Sequence, residues 1–84
     1  MNVKDRYIYP AIFDFDNDGI TVTFPDLPGC ITCGDCQEEA FRNAKEVLEL
    51  YMYGLEQNEE ENPEPSQINL IKTEDTQSIV LIDI

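Results

Sequence analysis

The chain has no histidine, and only five basic residues stand against 18 acidic ones in its 84. Without histidine the commonest general base is missing, and with it every serine–histidine or cysteine–histidine nucleophile. Catalysis would have to rest on carboxylates. A two-metal nuclease site needs several of these gathered on adjacent strands, whereas Asp14, Asp16, Asp18 and Asp26 fall on turns, so an enzyme is not expected. The shortage of lysine and arginine makes a poor phosphate-binding surface: at a net charge of −13 the chain repels nucleic acid and either steers a basic protein towards itself or serves only to keep a small domain in solution. Direct binding of DNA or RNA is not expected. No apolar run approaches the roughly 20 residues that span a bilayer, and the start, Met1 to Arg6, leads into a strand rather than a signal-peptide core. A cytoplasmic protein with no membrane association is expected.

The three cysteines, Cys30, Cys33 and Cys36, are spaced C-x2-C-x2-C, which invites an iron–sulfur reading because closely spaced thiolates can converge on one cluster. A fourth cysteine is missing, and no histidine can complete a zinc site. The odd count and short spacing also make a disulfide framework improbable, so reduced thiols and no cofactor are expected. Asp14-Phe15-Asp16-Asn17-Asp18-Gly19 matches the opening of a calcium loop, but the position that should carry a bidentate glutamate is Pro25. The same residues are what a solvated hairpin turn requires.

Alternation places Tyr7, Tyr9, Ala11, Phe13 and Phe15 on one face of a first strand, about Tyr7 to Phe15, with Ile8 and Ile12 on the other. Pro10 cannot donate to a ladder, so it belongs at an edge, at a bulge, or where its nitrogen points away from the neighbouring strand. Asp16 to Gly19 supplies the turn of a hairpin, and Ile20, Val22 and Phe24 alternate with threonines in the second strand. Prolines on either side of Asp26-Leu27 stop that strand, Gly29 permits a sharp turn, and Cys30 to Thr32 suits a brief third strand. A helix is expected to start at Asp35, with Glu38 completing a capping-box pattern, and to end near Gly54 to Asn58. Ala40, Ala44, Val47, Leu48, Tyr51 and Leu55 form its core stripe, with Phe41 and Met52 on the flank. Glu56 to Ser66 holds five glutamates, two prolines and no basic residue and reads as an exposed connector. Pro65-Ser66 could cap a short helical turn over Gln67 to Lys72 that lays Ile68 and Ile71, or Leu70, onto the core. The nearly continuous apolar run of Ser78 to Ile84 suggests a strand buried inside the sheet. The order β-β-β-α-β gives one two-layer α+β domain over residues 1–84, with a single long helix on one face of a mainly antiparallel sheet. If Ile8 and Ile12 face away from the helix, the uncovered side is an apolar patch for a second copy or a partner, unless the segment after Ser66 folds across it. So small a domain buries little surface, and a homo-oligomer, dimer or tetramer, is expected.

The ordered blocks Tyr9-Pro10-Ala11-Ile12-Phe13, Gly19 to Phe24, Pro25-Asp26-Leu27-Pro28-Gly29-Cys30, Gly34-Asp35, Glu38-Glu39-Ala40, Asn43-Ala44-Lys45-Glu46, Leu48-Glu49-Leu50-Tyr51 and Pro63-Glu64-Pro65-Ser66 resemble the HicB-like antitoxins. The resemblance implies a partial ribonuclease-H-like fold and an antitoxin that neutralises a small basic HicA-like, mRNA-cleaving toxin by covering its RNA-binding surface and catalytic histidine. On that reading the partner-binding residues are Tyr9, Asp26 and Leu27 at the hairpin and turn, with Asp35, Glu38 and Glu39 as a charged rim. The resemblance covers the toxin-binding domain only. Many members of the family add a C-terminal DNA-binding domain, and none is expected within these residues. Two other readings stay open: a stand-alone oligomeric module of the same fold without a toxin, and a metal or iron–sulfur protein using the cysteines.

Overall fold

A computed structural model describes residues 7–84, so the expectation for Met1 to Arg6 lies outside the described residues. The elements are β1 (Ile8–Asp16), β2 (Gly19–Thr23), β3 (Ile31–Gly34), the helix α1 (Gln37–Gln57), a 3-10 turn (Ile68–Leu70) and β4 (Gln77–Asp83). The four strands form one antiparallel sheet in the order β3-β2-β1-β4. This is the expected two-layer α+β domain with one long helix on the sheet.

The hairpin turns on Asn17 and Asp18, and Gly19 (φ 141°) follows in a backbone conformation that side chains rarely adopt, while Asp14 and Asp16 lie within β1 rather than on the turn expected for them. Odd-numbered residues of β1 face the helix: Tyr9, Ala11 and Phe13 are buried, as are Ile20, Val22, Phe24, Leu27 and Cys30 from the elements that follow. From the helix come Ala40, Ala44, Leu48 and Met52. Met52 thus sits in the core rather than on its flank, while Val47, Tyr51 and Leu55 pack half-buried beside it. Side-chain hydrogen bonds tie the layers together, with Tyr51 donating to the Pro28 carbonyl (3.0 Å) and Asn43 Nδ2 to the Cys33 carbonyl (2.8 Å).

Pro10 meets the last of its three alternatives. Tyr7 and Ile84 exchange backbone hydrogen bonds and the Phe15 amide donates to the Thr76 carbonyl, so odd residues of β1 bond towards β4 and even ones towards β2. The ladder with β2 ends at Ile12 and Thr23. The Pro10 nitrogen therefore points past the end of β2, where no ladder bond is lost.

β4 departs from expectation. It lies at the sheet's edge, not inside it, and of its residues only Ile82 is buried; Leu81 is half exposed at 51%. An apolar run is common to interior strands and to edge strands whose two faces are both covered in part, so the run alone misplaces it. The helix starts one residue later than its strongest capping signal suggested. Cys36 occupies the cap without a side-chain bond, and Glu39 reaches back to accept from the Asp35 amide at 2.7 Å. Glu39, rather than Glu38, is thus the acidic half of the capping pattern. The short turn at Ile68–Leu70 also differs in detail: its cap is Gln67, Ile68 and Leu70 stay exposed at 44% and 70%, and Ile71 is half-buried.

The helix ends in a Schellman motif, in which the Glu60 amide donates to the Leu55 carbonyl and the Glu59 amide to that of Glu56. Glu59 holds the left-handed position (φ 56°) that glycine favours, and its carboxylate adds charge of the wrong sign to a helix C-terminus. Glu59→Gly is accordingly expected to raise the unfolding free energy by about 1 kcal/mol, read from the midpoint of urea denaturation.

Candidate functional site

The sheet topology divides the six candidate residues into two groups. Tyr9, Asp26 and Leu27 lie at the end where β2 runs into the Pro25 to Cys30 turn, and Asp35, Glu38 and Glu39 lie at the opposite end, where Ile20 pairs with Gly34 and the helix begins.

The first group forms a clasp. Asp26 is half-buried, and its carboxylate accepts from the Ser66 amide (2.7 Å) and the Ser66 hydroxyl (2.5 Å). The Tyr9 hydroxyl donates to the Pro63 carbonyl, and Tyr7 donates to Glu56 at 2.8 Å. These bonds hold the acidic connector against the sheet, so that Glu59, Glu60, Glu61 and Glu64 are exposed on a segment fixed at several points. Burial, and then the charges of Asp26, Tyr7 and Glu64, raise the Tyr9 pKa above its ordinary value; its proton stays on and keeps donating. Tyr9 and Leu27 are themselves core residues, 2% and 0% exposed. They give the turn and connector their shape, while the surface there belongs to Asp26 and the glutamates.

In the second group Asp35 and Glu38 are exposed, and half-buried Glu39 is occupied by the Asp35 amide. Glu38 borders a cleft of about 490 Å³ lined by Phe13, Phe15, Phe41, Val80, Gln37 and Ser78.

Even-numbered residues of β1 point to the sheet face opposite the helix, as do Ile79 and Leu81 of β4 and Ile31 and Cys33 of β3. Pro10 is buried on this face and Ile12 and Ile79 half-buried, but Ile8, Ile31 and Leu81 are 44%, 57% and 51% exposed. The Ile8 and Ile12 pattern pointed to this patch; Ile31, Ile79 and Leu81 join it only through the pairing of distant strands. Bonds at its two ends fix the segment after Ser66: Ser66 to Asp26 at one, Thr76 and Gln77 to the Asp14 carboxylate at the other. On the helix, Leu50 and Tyr53 are exposed among glutamates, a second feature the core stripe left out.

The cysteines do not converge. Cys30 is buried against the Val47 carbonyl, while Cys33 and Cys36 are exposed, and among the described residues no three His, Cys, Asp or Glu side chains are placed to hold a metal ion. Burial pushes the Cys30 thiol up to about 11 from 9.0. In the unfolded chain the thiol ionises first, so folding is favoured at low pH and this contribution is lost as pH rises from about 9 towards 11. Urea midpoints are expected to fall over that window, and Cys30→Ala to flatten the fall.

Residues 9–84 match the family described as HicB_like antitoxin of bacterial toxin-antitoxin systems. The chain belongs to that family. It is 38% identical over 58 residues to Antitoxin HicB 2 of Photorhabdus laumondii, an alignment covering 69% of this chain and 42% of that one. The chain spans less than half the length of that antitoxin and of a Haemophilus phage HP1 protein that it also matches, and more than two thirds of the length of other curated relatives. Among solved structures it resembles a toxin–antitoxin complex from Streptococcus pneumoniae, with a TM-score of 0.82 and 25% identity over 93% of this chain and 68% of that chain. It also shares its fold with a chain of a HicA3 and HicB3 toxin-antitoxin complex, at a TM-score of 0.73 and 20% identity, covering 90% and 95% of the two chains. Among the described residues no helix is long and apolar enough to cross a membrane.

Proposed function

We propose that this HicB-like chain is an antitoxin that binds a small, basic, HicA-like ribonuclease and blocks its RNA-binding and catalytic surface. The observation that carries this reading is the fixed acidic connector: Glu59, Glu60, Glu61 and Glu64 stand exposed on a segment that Tyr9 and Asp26 tie to the sheet. An acidic surface held in one shape can replace RNA phosphates in a basic groove without a large ordering cost. Asp26 contributes charge beside the connector, Tyr9 and Leu27 position it, and Asp35, Glu38 and Glu39 form a rim at the far end of the sheet. The family resemblance to chains in toxin–antitoxin complexes supports the partner's class. The chain acts by binding, without cofactor or catalysis and without touching nucleic acid.

Isolation of the protein from its host at low salt, followed by mass spectrometry, tests this reading. A stoichiometric basic partner with histidine-dependent ribonuclease activity is expected. One observation favours a second reading, a stand-alone oligomeric module: the exposed Ile8, Ile31 and Leu81 on the open sheet face. A self-associated protein with no bound partner in the same isolation would select it.

A further inference from the structure

β4 is an edge strand flanked by apolar surface on both sides. Ser78, Val80, Ile82 and Ile84 direct their backbone groups to β1, by the alternation that the Tyr7 to Ile84 bonds set. The amides and carbonyls of Ile79 and Leu81 consequently point outward, where no further strand of the described residues pairs with them. Natural edges are commonly blunted by lysine, proline or a bulge. Ile79 to Ile82 has none of these. Beside this edge, on the helix side, lies the cleft of about 490 Å³ with Phe13, Phe15, Phe41 and Val80 in its walls. A four-stranded sheet is wider than one helix can cover, and the cleft is the part left over on the β4 side.

An unpaired strand edge next to an apolar groove between strand and helix is the arrangement in which an extended peptide adds to a sheet. Main-chain bonds supply affinity and alternate side chains enter the groove. The charge around it selects the occupant. Lys45 lies over the Phe41 ring at 5.9 Å, but Glu38 overlooks the cleft, Glu74 and Asp75 precede the strand, and the whole chain carries −13. A second copy laid on this edge would bring the same acidic groups against their own kind, whereas a basic segment would be drawn in.

We propose that β4 and the phenylalanine cleft receive an extended segment of a basic partner as a fifth strand, with a large apolar side chain between Phe15 and Phe41 and basic residues near Glu38 and Asp75. The partner's identity rests on the antitoxin reading; the strand addition is tested without it. The probe is a short synthetic peptide of alternating threonine and valine with a central phenylalanine and a lysine at each end, titrated into the isotope-labelled full chain by NMR. Shifts at Ile79, Val80, Leu81 and Phe41, with slowed exchange of the Ile79 and Leu81 amides, are expected. A twin peptide with glutamate at each end should not bind. Leu81→Pro removes an outward donor without breaking the ladder to β1, and Phe41→Glu alters the cleft from an exposed helix position; each should weaken binding roughly tenfold.

Peptide shifts confined to other surfaces would overturn the proposal, as would wild-type affinity in Phe41→Glu. Protection of the Ile79 and Leu81 amides that appears without peptide and vanishes on dilution would show a second copy as occupant and overturn it too. Failure of the antitoxin reading would leave the peptide shifts in place, while failure of this inference would leave Leu81→Pro as good an inhibitor as the wild type.

Discussion

Gly34→Ala is expected to lower the unfolding free energy by about 3 kcal/mol. Gly34 is the last residue of β3 and is buried under the first turn of α1. A Cβ added there would lie 2.5 Å from the Ala40 amide nitrogen and 2.7 Å from the Ala40 Cα. Both are backbone atoms, so no side-chain rotation relieves the overlap, and β3 and the helix must part. At roughly 0.1 kcal/mol of stability per residue, a small domain loses a large share of its margin. Urea denaturation followed by far-ultraviolet circular dichroism measures the change, and a midpoint within error of the wild type would contradict this packing. Gly54 is the contrasting position: a Cβ there meets nothing within 4 Å, and Ala should be tolerated.

The second large effect is expected at Leu27. Its side chain is fully buried, its amide donates to the Phe24 carbonyl and its carbonyl accepts from Cys30, both at 3.0 Å. Leu27 thus anchors the turn that connects β2 to β3 and carries Asp26. Leu27→Ala should cost about 3 kcal/mol, from lost burial and the cavity left behind. Asp26→Ala removes the two bonds to Ser66 at a half-buried site and should cost about 1 kcal/mol, while freeing the connector. The two variants weigh stability and recognition differently. Per folded molecule, both should lose part of their partner affinity, Leu27→Ala through the turn it shapes and Asp26→Ala through the freed connector, as measured by calorimetry on the complex. Equal affinity for Asp26→Ala and the wild type would remove the clasp from the binding account.

What the sequence made legible follows from how local each signal is. The hairpin around Asn17 and Asp18 and the stripe Ala40, Ala44, Leu48 are written within a few residues, and period and turn chemistry suffice for them. Asp35 was the better capping residue by type, yet the helix is capped at Cys36 because Glu39 satisfies the Asp35 amide from inside the first turn. That choice depends on rotamers that residue type does not encode. The edge position of β4 and the clasp of Ser66 on Asp26, 40 residues away in sequence, are pairings between distant segments. No pattern within either segment specifies them. The candidate residues Asp26 and Tyr9 were found by resemblance, but their role in fixing the acidic connector became visible only from the bonds to Ser66 and Pro63.

The most direct test of the antitoxin reading is RNA cleavage by the purified basic partner, titrated with this chain at low salt. Cleavage should fall linearly and stop at a fixed molar ratio, with inhibition weakened by added salt and by neutralising Glu59, Glu60, Glu61 and Glu64 together. Undiminished cleavage with this chain in molar excess would contradict the account.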